Sequence, residues 1–120
     1  MSLRANILNQ GEVAIIALEG KLDYESQDIL RENIISLMQE GKQVVVDMDR
    51  LSFVGSCGIT HFIRSLYEMQ EMGGAPKLCN VRSEFRQIIN AYDNNKEFSI
   101  HANREDAISS FFRTGSNENN

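Results

Sequence analysis

Val44-Val45-Val46 is an unbroken β-branched run, and no other stretch narrows the possible folds of this chain as much. A strand with one wet face alternates apolar and polar residues, whereas a continuous apolar run suits a strand covered on both faces by helices, in the middle of a sheet. After a short polar break at Asp47-Met48-Asp49-Arg50 and the segment Leu51-Ser52-Phe53-Val54 come a small-residue turn, Gly55-Ser56-Cys57-Gly58, and the apolar helix periodicity that starts at Ile59. Side chains just past the carboxyl ends of parallel strands face a crevice open to ligands and partners, so Ser56 is the first candidate functional residue.

The rest of the chain supplies strands and helices in alternation around that run. Leu3 to Leu8 and Val13 to Leu18 are apolar runs parted by Asn9-Gln10-Gly11, which predicts an opening hairpin. Leu30, Ile34, Leu37 and Met38 recur at helix spacing between about Glu25 and Glu40, with Asp23 or Ser26 as the cap and Gly41 as the stop. Ile59, Phe62, Ile63, Leu66 and Met69 predict a second helix closed by Gly73-Gly74. Lys77 to Val81 reads as a short strand, Phe85, Ile88, Ile89 and Tyr92 as a third helix, and Phe98-Ser99-Ile100 as an edge strand. Asn103, three residues before Asp106, predicts a cap for a final helix through Ala107, Ile108 and Phe111. The expectation is an α/β fold, a mixed sheet flanked by about four helices, in one domain over residues 1–113, with a polar, disordered tail at 114–120.

Composition removes several classes of function. Seventeen acidic against twelve basic residues give a formal charge of -5 with no Lys/Arg cluster, which lacks the electrostatic footprint of a nucleic-acid binder. No run of ~18 apolar residues offers a membrane span, and Met1 to Asn6 lacks the apolar core of a signal peptide, so a cytoplasmic location is expected. Two cysteines, Cys57 and Cys79, without a CxxC pair, and two separated histidines, His61 and His101, do not make a metal set; free thiols, no metal and no cofactor are expected.

The chemistry open to the turn is similarly narrow. A serine nucleophile on a strand-to-helix elbow reads Gly-x-Ser-x-Gly, and here Val54 stands in the first glycine position with no histidine and acid evident to activate Ser56. Asp47, at the end of an apolar run, sits where receiver domains carry their phosphoaccepting carboxylate, yet Leu8-Asn9-Gln10-Gly11 has no acids to hold the divalent ion that chemistry needs. Cys57 has no basic neighbour closer than Arg50 and reads as a small turn residue. No catalytic residue is therefore expected.

Asp49-Arg50-Leu51-Ser52-Phe53-Val54-Gly55-Ser56-Cys57-Gly58-Ile59, with the helix and Gly73-Gly74 that follow, resembles the signature of the STAS domain in the form found in bacterial anti-sigma factor antagonists. Leu18-Glu19-Gly20-Lys21-Leu22-Asp23 is similar to the family's Gly-x-Leu-Asp turn, and the resemblance runs from about Gly11 to Phe112. It implies a STAS-like mixed sheet and a binding module, not an enzyme. Antagonists of this kind bind an anti-sigma factor with a serine kinase fold; the kinase phosphorylates the turn serine, here Ser56, and a serine phosphatase restores it. The implied contact surface is Gly20, Leu22, Asp23, Tyr24, Gly55, Ser56, Cys57 and Gly58, with Thr60, His61 and Arg64 on the following helix. Gly55 stands where the family usually has an aspartate, and this departure keeps a second reading in view: an unphosphorylated STAS scaffold or interaction module in a signalling complex or beside a transporter.

Overall fold

The computed structural model describes residues 3–54, 56–71, 76–92 and 98–117. Its elements follow the expected order: β1 (Leu3–Gln10), β2 (Val13–Leu22), α1 (Tyr24–Gln39), β3 (Gln43–Val54), α2 (Ser56–Glu71), β4 (Lys77–Cys79), α3 (Ser83–Tyr92), β5 (Ile100–His101) and α4 (Arg104–Asn117). The five strands form one sheet in the order β1-β2-β3-β4-β5, antiparallel between β1 and β2 and parallel thereafter. β3 is the central strand, and Val44, Val45 and Val46 are at most 2% exposed.

Sequential strand order has a consequence for the layers. Each step from β2 to β5 is a parallel crossover in the same direction, and because such crossovers are right-handed, all three connecting helices must lie on one face. Leu30, Ile34 and Leu37 of α1, Phe62, Leu66 and Met69 of α2, and Phe85 and Ile89 of α3 accordingly share one core with Ile16, Leu18, Val46 and Leu78 of the sheet. Full burial of each of these large side chains stabilises the fold by about 1.5–3 kcal/mol. Among the described residues the opposite face is covered by α4 alone, whose Ala107, Ile108 and Phe111 pack on Val13, Ile15, Val45 and Cys79.

The caps expected from sequence form, and they cooperate. Asp23 is the N-cap of α1 and accepts from the Ser26 amide at 2.9 Å, while Ser26 Oγ accepts from the Asp23 amide at 2.9 Å, a reciprocal box that uses both proposed capping residues. Gly41, at φ 86, ends α1 in the left-handed region that a side chain disfavours. Asn103 Oδ1 accepts from the Asp106 amide at 2.8 Å at the start of α4.

Three boundaries differ from the sequence reading. Asp47 to Arg50 is not a break: β3 runs through it for 12 residues beside the 10 of β2, and two register shifts absorb the difference. These shifts are bulges, which reverse the alternation of faces, so Leu51 joins the same core as Met48 although a regular strand would set them on opposite sides. Of the residues that looked like an interruption, Asp49 and Arg50 are the outward part of a bent strand, while Asp47 and Met48 are buried. The last strand is Ile100–His101, shifted from Phe98–Ile100, and α4 continues to Asn117, overlapping the stretch from Thr114 expected as tail; residues 118–120 lie outside the described ones.

Candidate partner-binding rim

The two bulges carry β3 to a common finishing line with β2. Leu22 is paired with Val54, so β2 and β3 end side by side at one rim of the sheet. α1 then starts at Tyr24 and α2 at Ser56. The helices run in the same direction, because Gln27 meets Ser65 (Oγ to Oε1, 3.4 Å) and, farther along both, Arg31 meets Glu68 (Nη2 to Oε1, 2.9 Å). Two helix N-termini therefore lie at this rim, one closed by the Asp23 carboxylate.

The residues expected to form the contact surface are placed as follows. Gly20 lies between the two register shifts, opposite Leu51, at φ 102; only glycine adopts that conformation without strain, so the strand can turn toward the rim there. Leu22 is fully buried and anchors the rim from below; it has no surface to offer a partner, because its side chain completes the core shared with α1 and α2. Asp23 caps α1, and the Ser26 backbone and side-chain hydrogen bonds hold its carboxyl below the ordinary value of 3.8. Tyr24 opens α1, and its side chain lies outside the described residues. Gly55 also lies outside them; Ser56, Cys57 and Gly58 form the first turn of α2, their side chains undescribed. That turn contains no acidic residue. Thr60 and His61 are half-buried, Arg64 is exposed, and the His61 carbonyl accepts from Ser65 Oγ at 3.0 Å.

A second polar cluster, on the α4 face, had no functional assignment in the sequence reading. Asp47 is 5% exposed, yet each of its oxygens is engaged: Oδ1 accepts from the Asp49 amide at 3.0 Å and from Asn80 Nδ2 at 3.0 Å, and Oδ2 accepts from Arg104 Nε. One carboxylate thus holds the first bulge of β3, the exit of β4 and the first residue of α4. Asn80 reaches it from a left-handed backbone at φ 56, a conformation asparagine tolerates better than other side chains. Burial pushes the Asp47 carboxyl up, but the bonds from Asn80 and Arg104, then the Asp49 amide and the Arg104 charge, outweigh it, and the group titrates below 3.8. This is the signature of a structural carboxylate; the receiver-type chemistry weighed for it would need a carboxylate free to react. No local sequence signal marks this role: the Asp49 donor is a backbone amide, and Asn80 and Arg104 are distant in sequence.

Cys79 lies beneath the same cluster, fully buried, and burial followed by the Asp47 charge pushes its thiol up to about 12. Such a thiol is almost entirely protonated at neutral pH. In the native protein at pH 8, peptide mapping after treatment with a thiol reagent is expected to leave Cys79 unlabelled, with labelling appearing on addition of denaturant. Among the described residues no group of three or more His, Cys, Asp or Glu is arranged to hold a metal ion, and no helix is long and apolar enough to cross a membrane.

A five-stranded mixed sheet with two helix starts set side by side at one rim places the chain in a class of small α/β domains. The model of the STAS domain matches residues 4–107, and the chain belongs to that family. It is similar to the anti-sigma-B factor antagonist of Bacillus subtilis (strain 168), with 20% identity over 89 residues that cover 74% of this chain and 82% of the relative. Among solved structures it resembles a variant of RsbS from Moorella thermoacetica, at TM-score 0.76 and 16% identity over 94% of this chain and 98% of that one. It also resembles the Bacillus cell fate determinant SpoIIAA in its phosphorylated form, at TM-score 0.66 and 22% identity over 90% and 99% of the two chains. The STAS assignment and the α/β fold expected from Asp49 to Ile59 and from the element order both hold.

Proposed function

We propose that this chain is an anti-sigma factor antagonist acting in the cytoplasm: it binds an anti-sigma factor with a serine kinase fold through the β2–α1 and β3–α2 rim, and phosphorylation of Ser56 turns that binding off. The observation that carries this reading is the pairing of Leu22 with Val54, which brings the capped start of α1 beside the helix start that carries Ser56. The similarity to an anti-sigma-B factor antagonist supports the partner class.

The physical case for a switch without refolding rests on where the charge would go. A phosphate on Ser56 adds close to two negative charges at a helix N-terminus, where the macrodipole and free amides favour an anion, and the first turn of α2 has no acidic residue to oppose it. The domain itself stays folded; the cost falls on the complex, where a dianion in a fitted interface must lose its water. Gly55 in place of the family's usual aspartate removes a carboxylate that a kinase could read, and it also removes a like charge next to the added phosphate.

Incubation with the cognate kinase and ATP is expected to add a single phosphate by intact mass, which Ser56→Ala abolishes and a serine phosphatase removes. A phosphate retained by Ser56→Ala would refute the assignment.

A further inference from the structure

We infer that the outer edge of β1 is a pairing surface for a second copy of this chain, giving a two-fold dimer whose sheets continue across the junction. β1 ends the sheet, and its pairing with β2 runs without a register shift from Leu3 opposite Gly20 to Gln10 opposite Val13. Asn6 through Gln10 are all exposed, and Ile7 and Leu8 keep 41% and 43% of their surface open. Natural edge strands avoid pairing by being short, by bulging, or by carrying lysine or proline. β1 has none of these, and its one charged residue, Arg4, is turned back onto Glu19 of β2 at 3.7 Å.

The other edge is different. β5 consists of Ile100 and His101 only, too short to template a partner strand. With a single competent edge the pairing is β1 to β1, which is isologous and closes at two copies instead of growing into a fibre.

Symmetry limits the register. A two-fold axis normal to the sheet keeps each face on its own side, so every residue pairs with one that points to the same face. Placing the axis at Ile7 sets Ile7 against Ile7 of the second copy, Leu8 against Asn6 of the second copy, and Arg4 against its Gln10; apolar meets apolar at the centre, and no like charges are opposed. Leu8 and Asn6 border the shallow cavity of about 500 Å³ between β1 and Arg104, left because among the described residues α4 alone covers that face, and the second copy adds a wall to its open side. The Ser56 rim lies at the opposite end of β2 from Gln10, so both rims remain open and the dimer presents two of them.

Sedimentation equilibrium of the full chain at high micromolar concentration is expected to give about twice 13.6 kDa, and Ile7→Lys to return the mass to one chain with an unchanged far-ultraviolet circular dichroism spectrum. In a Cys57→Ser background, Ile7→Cys is expected to form an intermolecular disulfide under mild oxidation, and Leu8→Cys is not, because its symmetry mate is displaced along the strand beyond disulfide reach. A wild-type chain that stays monomeric overturns the inference, including the case in which β1 takes up an extended segment of some other protein. So do a dimer that survives Ile7→Lys and crosslinking of Leu8→Cys as readily as Ile7→Cys.

Discussion

Ser56→Asp is expected to weaken binding to the proposed anti-sigma factor partner by about 2–5 kcal/mol, roughly 30- to 4,000-fold in Kd, while leaving thermal stability within a few degrees of wild type. Both halves follow from the position at the head of α2. On the isolated domain, a negative charge at a helix N-terminus is tolerated or mildly stabilising, by about 0.3–1 kcal/mol. In the proposed complex the same charge would lie between two proteins and would have to lose its water. Isothermal titration with the purified partner measures the first half, and calorimetric unfolding of the free variant measures the second. Wild-type affinity in Ser56→Asp would remove the charge-switch mechanism; an unfolded variant would show that the rim is held together by the serine itself.

Asp47→Ala is expected to be the most destabilising single change outside the apolar core, by about 2–4 kcal/mol, with a fall in Tm of roughly 8–15 °C. The loss leaves three donors without their acceptor: the Asp49 amide in the bulge, the Asn80 amide group and Arg104 Nε. The value belongs near the lower end for broken buried pairs because the Arg104 side chain is 39% exposed and recovers water. Arg104→Ala is milder, since Asp47 keeps its other two donors. The pH dependence has a definite sign. The folded carboxyl titrates below 3.8, so the unfolded chain binds the proton more readily; the stabilisation is complete above that value and disappears as the pH falls through the folded pKa. Urea titrations from pH 7 down to pH 3 are therefore expected to show a shallower acid-side loss in Asp47→Ala than in wild type. Equal slopes would mean that Asp47 is not held as a charged group.

Much of the fold is legible in the residues because its signals are local. Leu30, Ile34 and Leu37 repeat at the period of a helix, Asp23 and Ser26 stand at capping distance, and Gly41 marks the stop; each needs only its near neighbours to be interpreted. The β-branched run of Val44 to Val46 likewise announces a doubly covered strand. Asp47 to Arg50 misleads for a related reason. A bulge reverses the alternation on which strand reading depends, and its hydrogen bonds are completed by Asn80 and Arg104, 33 and 57 residues away from Asp47.

By itself, then, the sequence determined the order and kind of the elements, the central place of Val44 to Val46 and the STAS signature around Ser56, because periodicity, caps and turn residues act within a few positions of one another. Only the tertiary structure decided that Leu22 ends level with Val54 and lies buried, that Asp47 holds a bulge, a strand exit and a helix start together, and that β1 is left with an open edge. Those outcomes depend on register between strands and on which face each crossover takes, and both are set by packing between segments that are far apart in the chain.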